Sequence, residues 1–102
     1  MGFWVYLVRC SDGAYYVGSH RGEDVAVRVE EHNAGLDTKA YTFTRRPVEL
    51  VWADEFQLAL DMIAFERRLK GWSRAKKEAL TRGDWSEVSR LAKSPRPSTS
   101  SG

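Results

Sequence analysis

A chain of 102 residues has room for one domain with a small core, so most of its apolar side chains must be buried if it is to fold. Hydrophobic residues at 42% and charged residues at 29% suit an ordinary globular protein and exclude a collagenous, low-complexity or membrane-spanning chain. The net charge of +2 is unevenly spread: residues 1–60 hold six Lys/Arg against nine Asp/Glu, whereas residues 61–102 hold ten against five.

Phe3 to Arg9 is short, aromatic and β-branched, which predicts a strand. Ser11-Asp12-Gly13 predicts a turn and Ala14 to Ser19 a second strand, the two forming a hairpin. Asp24 to Asn33 reads as a helix with acidic residues at its start and Gly35 just past its end. Residues 36–46 form a polar, basic loop, Val48 to Ala53 a third strand, and about Phe56 to Lys70 a second helix broken by Gly71. Ser73 can cap a helix from Arg74 to Thr81, stopped by Gly83, and Asp84 can cap a last one through Leu91. The Pro/Ser-rich tail 93–102 is expected to be disordered, leaving residues 1–92 as the folded domain. This order predicts an α+β domain with a small, mainly antiparallel sheet.

Cys10 is the single cysteine, so no intrachain disulfide can form. The first nine residues lack the basic stretch and long apolar run of a signal peptide. The expected location is the cytoplasm.

Tyr6 and Tyr16 are related by the hairpin. A three-residue Ser-Asp-Gly loop places Tyr6 opposite Gly18 and Tyr16 opposite Val8, with both phenols on one face; a two-residue loop would put them on opposite faces. We expect the former, although two tyrosines on a sheet can be packing residues alone. Arg28 and His32, four apart on the first helix, share a face bordering the stripe of Val25 and Val29. They can be a surface cation and a core imidazole, or a pair poised over a site. Glu66 is the sharper anomaly. Ala59, Met62, Ile63 and Leu69 make an apolar stripe in which Glu66 occupies a core-facing position. A carboxylate there must meet a cation, a set of donors or a metal ion, since an unpaired buried charge is costly. Trp4 and Trp52 lie in strand patterns and are expected in the core, and Trp72 between the two last helices.

Taken together, the motifs resemble those of the GIY-YIG nuclease superfamily. Trp4-Val5-Tyr6, ten residues before Tyr16-Val17-Gly18, resembles its paired motifs, and Arg28 to Gly35 its first helix. The segments Tyr41 to Val51 and Glu66 to Leu80 are similar to the small single-domain bacterial branch, the YhbQ-like group. The resemblance runs from about Phe3 to Leu80 and implies a three-stranded antiparallel sheet flanked by helices, one divalent metal ion (Mg2+ or Mn2+) and hydrolysis of DNA. It assigns Tyr6 and Tyr16 to the catalytic face, one of them as general base, Arg28 to the scissile phosphate, His32 to acid–base or orienting work, and Glu66 to the metal. The sequence departs from the family where Trp4-Val5 replaces Gly-Ile and where Ser19 stands at the place of a lysine found in the excision-repair branch.

Backbone contacts to DNA are expected from Lys39, Arg45, Arg46, Arg67, Arg68, Lys70, Arg74, Lys76 and Lys77. The expected activity is metal-dependent cleavage of DNA, branched or single-stranded forms included, in repair or recombination. The alternative is a non-catalytic nucleic-acid-binding module on the same scaffold. Neither a membrane nor an obligate protein partner is expected.

Overall fold

Apolar and aromatic residues dominate Gly2–Arg9, and they form the central strand, β1, of a three-stranded antiparallel sheet. The computed structural model describes residues 2–92, so the predicted disordered tail lies outside the described residues. β2 (Tyr15–Gly22) and β3 (Glu49–Phe56) flank β1 in the order β2-β1-β3. The architecture is the expected α+β arrangement.

The predicted three-residue loop closes the hairpin. The Cys10 amide donates to the Ala14 carbonyl at 2.8 Å, the Gly13 amide to the Cys10 carbonyl at 2.9 Å, and Gly13 takes φ 86°, a conformation that suits glycine. Tyr6 consequently pairs with Gly18 and Tyr16 with Val8. β2 runs three residues beyond the expected Ser19 because β1 already begins at Gly2, which pairs with Gly22.

The two faces of the sheet carry different helices. Trp4, Tyr6 and Val8 lie on the face that packs with Val25 and Val29 of α1 (Val25–Ala34). Leu7 and Phe3 belong to the other face, where their partners Trp52 and Phe56 meet Phe65 of α2 (Ala59–Lys70) at 5.7 and 5.6 Å between ring centroids. That use of Phe56 explains why β3 is longer, and α2 starts later, than the sequence predicts. It also shifts the buried stripe of α2. Met62 and Leu69 are buried and Phe65 half-buried, whereas Ile63 is exposed. Trp4 and Trp52 are half-buried rather than fully in the core, with the Trp4 indole N–H donating to the Gly22 carbonyl at 3.1 Å.

Asp24 caps α1 by accepting from the Ala26 amide at 2.9 Å, and Gly35 ends it in the left-handed conformation. A 3-10 turn, Phe43–Arg45, follows within the predicted loop and leads through a cis Arg46–Pro47 bond into β3. Asn33 ties this return to the helix: its amide donates to the Val48 carbonyl at 3.0 Å and accepts from the Val48 amide at 2.7 Å.

The chain divides into two compact units, one through Gly71 and the other from Trp72. In the second, α3 (Arg74–Thr81) and α4 (Trp85–Ala92) pack on each other, capped as predicted by Ser73 and Asp84. Among the described residues no helix is long and apolar enough to cross a membrane.

Candidate active site

Tyr6 stands in the middle of the central strand with its ring laid across Gly18 of the neighbouring edge strand. A Cβ at Gly18 would come within 2.4 Å of both Cζ and Oη of Tyr6, so only glycine leaves room for the ring. The phenol is fully buried, and its oxygen lies 2.8 Å from Nε2 of His32. His32, also buried, comes from the last turn of α1, and its Nδ1 lies 2.7 Å from Oγ1 of Thr42. A continuous buried chain of hydrogen bonds thus joins Thr42, His32 and Tyr6.

The electrostatics follow from that burial. Burial pushes the Tyr6 phenol up to about 12, with the neighbouring Arg28 guanidinium working against the rise and Tyr16 and Glu66 adding to it. His32 is held below its ordinary value by burial and then by the positive charge of Arg28. Burial also works against the charge on Arg28, but its interactions with Glu31 and Tyr6 outweigh that and raise it. Arg28 bonds Glu31 one turn on, at 3.1 Å, with both side chains 41% exposed. The guanidinium is therefore fixed on one side and still open to a ligand on the other.

Tyr16 covers this chain of hydrogen bonds. Its ring centroid is 6.4 Å from that of Tyr6 and 5.5 Å from His32, edge-on to the imidazole. Tyr41 stacks on Tyr16 at 5.7 Å with 18° between planes, and the Arg45 guanidinium lies 4.0 Å over the Tyr41 ring. A small cleft of about 50 Å³ opens beside the group, lined by Arg28, Glu31, His32, Asp37 and Thr42 among others.

Glu66 arrives from α2, the helix on the opposite face of the sheet. Its side chain is 19% exposed and pairs with Lys70 one turn on at 3.5 Å, so of the partners the sequence left open it meets a cation. Its charge is felt at the Tyr6 oxygen. Among the described residues no group of three or more His, Cys, Asp or Glu is placed to hold a metal ion.

This arrangement can be set beside known proteins. Residues 2–79 match the family model described as the GIY-YIG catalytic domain. The chain belongs to the GIY-YIG family. Relatives named UPF0213 protein from Staphylococcus aureus strains Mu50 and N315 are each 42% identical over 74 residues, covering 72% of this chain and 87% of theirs. The solution structure of the UPF0213 protein BH0048 from Bacillus halodurans is 32% identical, with a TM-score of 0.50 over 90% of this chain and 98% of that one. That of EF2693 from E. faecalis is 25% identical, with a TM-score of 0.54 over 81% and 85%. The names of these relatives state no activity, whereas the GIY-YIG domain implies a nuclease-type function.

Within the GIY-YIG frame, the structure brings Tyr6, Tyr16, Arg28 and His32 together and leaves Glu66 near but not in contact. The expected phosphate contacts divide. Lys39, Arg67 and Arg68 are exposed. Arg45 and Arg46 are engaged within the protein: Arg45 pairs with Asp12 at 3.0 Å, and Arg46 lies over Phe43 while donating to its carbonyl at 2.7 Å. Lys70 pairs with Glu66, and in the second unit Arg74 pairs with Glu78 at 3.1 Å while Lys76 lies 4.1 Å over Trp72. Lys77 is half-buried, which lowers its pKa. Thr42 and Tyr41 are site residues that sequence reasoning missed, because they sit in a loop without periodicity.

Proposed function

We propose that this protein is a divalent-metal-dependent endonuclease that hydrolyses phosphodiester bonds in DNA, branched or single-stranded forms among them, in cytoplasmic repair or recombination. What supports it above all is the convergence of two phenols, a guanidinium and an imidazole, the last two lining a small cleft, in a chain of a nuclease-type family.

In-line attack at phosphorus needs a base for the water, positive charge at the phosphoryl oxygens and help for the leaving oxygen. Arg28, half-open and anchored by Glu31, suits the phosphate, since a guanidinium meets two oxygens at once. The phenols divide the remaining work. Tyr6 is sealed from solvent and hard to ionise, which suits a hydrogen-bond donor. Tyr16, half-buried, is the phenol an attacking water can reach, and takes the role of base. His32, neutral and held from both ring nitrogens, orients Tyr6.

Glu66 would hold Mg2+ or Mn2+. A single carboxylate fits such an ion, which keeps several waters and takes substrate phosphate oxygens as further ligands, so a dedicated protein cage is not required. When bound, the ion supplies positive charge at the phosphoryl and leaving oxygens. Glu66 would have to exchange its exposed Lys70 partner to take that role, a pairing worth little in water. Lys39, Arg67 and Arg68 would lie against the phosphate backbone, which positions the strand without reading its sequence.

The test is cleavage. Single-stranded, duplex, flapped and four-way DNA are incubated with the protein, with and without Mg2+ or Mn2+, and the products read on a gel. Wild type is expected to cut only with the ion. Glu66→Ala is expected to abolish cleavage while keeping its fold and a salt-sensitive gel shift. Full cleavage by Glu66→Ala would overturn the metal assignment, and DNA binding with no product under any ion would leave a binding module.

A further inference from the structure

Among the described residues of the first unit, the rings of Phe, Tyr and Trp are buried or half-buried with the exception of Tyr41. Tyr41, in the loop between α1 and β3, is 46% exposed, although it lies against the candidate site. The ring is nevertheless held in place. It stacks on Tyr16 at 5.7 Å with 18° between planes, and the Arg45 guanidinium lies 4.0 Å over it. Arg45 is fixed in turn. Its Nη1 donates to the Tyr41 carbonyl at 3.1 Å, its own carbonyl accepts from the Ser11 amide at 2.9 Å, and Asp12 pairs with it at 3.0 Å. Packing alone gives little reason for this, since ordering an exposed side chain costs conformational entropy. A surface fixed in advance does favour a ligand, whose binding then need not order it.

The charges narrow the choice of ligand. Asp12 answers the charge of Arg45, which makes this guanidinium a poor clamp for phosphate, the role its sequence suggested. It remains a flat group lying on a ring, with its side chain still 34% exposed, and nucleobases stack on guanidinium planes as they do on aromatic rings. Position narrows the choice further. Tyr16 lies 5.5 Å from His32 and 6.4 Å from Tyr6 between ring centroids, and Tyr41 is the next ring outward. A phosphate held at Arg28 carries its base one sugar away, on the scale of that single step.

We propose that Tyr41 and Arg45 form a stacking platform for the nucleobase adjoining the scissile phosphate. A base inside a duplex is already stacked on its neighbours, so the platform takes an unpaired nucleotide. Lys39, exposed in the same loop, adds positive charge for the strand. The assignment rests on the function proposed above, which places the phosphate at Arg28 and Tyr16.

The experiment measures binding without any divalent ion, so cleavage plays no part. Fluorescence anisotropy gives Kd for a short labelled oligothymidylate and for the same backbone carrying abasic sites. The two strands share every phosphate, and their ratio of affinities isolates the bases. Wild type is expected to favour the thymidylate strand by about tenfold, the order that one stacked base gives. Tyr41→Leu keeps apolar bulk without the flat ring and is expected to cut that preference by about fivefold or more, and Tyr41→Phe to restore it. Arg45→Lys keeps a charge for Asp12 without the plane and is expected to lower the preference as well. Pairing the strand with its complement is expected to remove the dependence on Tyr41. Equal affinity of wild type for the two strands overturns the platform, as does an unchanged preference in Tyr41→Leu or an equal loss for both strands. Equal dependence on Tyr41 in the duplex contradicts an unpaired base. Should Tyr41→Leu fail to fold, NMR of wild type decides: the Tyr41 ring protons are expected to move upfield with thymidylate and not with the abasic strand, and stationary signals overturn the proposal. A strand stacked but never cut with Mg2+ would sink the nuclease reading alone, and cutting without the base preference would sink the platform alone.

Discussion

Gly18→Ala tests the geometry on which the candidate site depends. The new Cβ would sit 2.4 Å from Cζ and Oη of Tyr6, and ordinary contact begins near 3.4 Å, so the ring must recede by about 1 Å. It has no free direction, because Tyr6 is fully buried between Val8, Val25 and the layer of Tyr16. A shift of that size also disturbs the 2.8 Å hydrogen bond between the phenol oxygen and His32. Overpacking of this kind costs about 1–3 kcal/mol, and the lost bond roughly 1 kcal/mol more. For a domain of this size the midpoint of thermal unfolding should fall by roughly 8–30 °C. Gly71→Ala is the control: its Cβ would meet nothing nearer than 3.6 Å, so stability should stay within about 0.5 kcal/mol of wild type. The assay is thermal unfolding followed by circular dichroism, with the Tyr6 phenol followed by NMR. A Gly18→Ala protein with an unchanged midpoint and an unchanged Tyr6 environment would refute the packing of ring over glycine.

Three further outcomes are expected. Tyr6 holds its proton from an ordinary 10.0 up to about 12, so its stabilising effect is complete below pH 10 and lost as the pH rises to 12, a change of about 3 kcal/mol. Urea unfolding across that range should show wild type losing stability relative to Tyr6→Phe, and parallel curves would contradict the burial. His32 acts at the other end. Its pKa is lowered, so the unfolded chain binds the proton more readily and stability falls as the pH drops below the ordinary 6.5; His32→Gln should flatten that acid limb in the same urea series. Asn33→Ala strips partners from the amide and the carbonyl of Val48 at once, which should cost about 1–3 kcal/mol. The urea midpoint would then fall without a change in slope, and an unmoved midpoint would show that water replaces both bonds.

Local chemistry was legible where it acts over a few residues. Ser11-Asp12-Gly13 dictated the hairpin loop, and the loop dictated the register that puts Tyr6 and Tyr16 on one face. Ser73 and Asp84 marked two helix starts because a short oxygen-bearing side chain can reach back to the amide three residues on. The phase of α2 was not legible. Its buried stripe depends on Phe56 staying in β3 to meet Phe65, a choice made by the far face of the sheet, and Ile63 is exposed as a result. Burial of His32 was hidden for a similar reason: it needs Thr42, ten residues on in a loop, to complete its hydrogen bonding. Arg45 and Arg46 read as free cations because their stacking on Tyr41 and Phe43 has no sequence period.

A three-stranded sheet divides the helix that carries Arg28 and His32 from the helix that carries Glu66. Groups from the two faces can act on one phosphate only where the sheet ends. The nearest end is β2, an edge strand one strand spacing of about 4.8 Å from β1. A tyrosine on the central strand is long enough to cross that spacing, but only if its partner residue has no side chain. Gly18 meets the condition, and the Tyr6 oxygen accordingly lies above the edge strand instead of the middle of the sheet. The two short motifs are therefore one structural feature, a ring and the gap that admits it. Leu or Ala at position 18 would displace the phenol from this place above the edge strand.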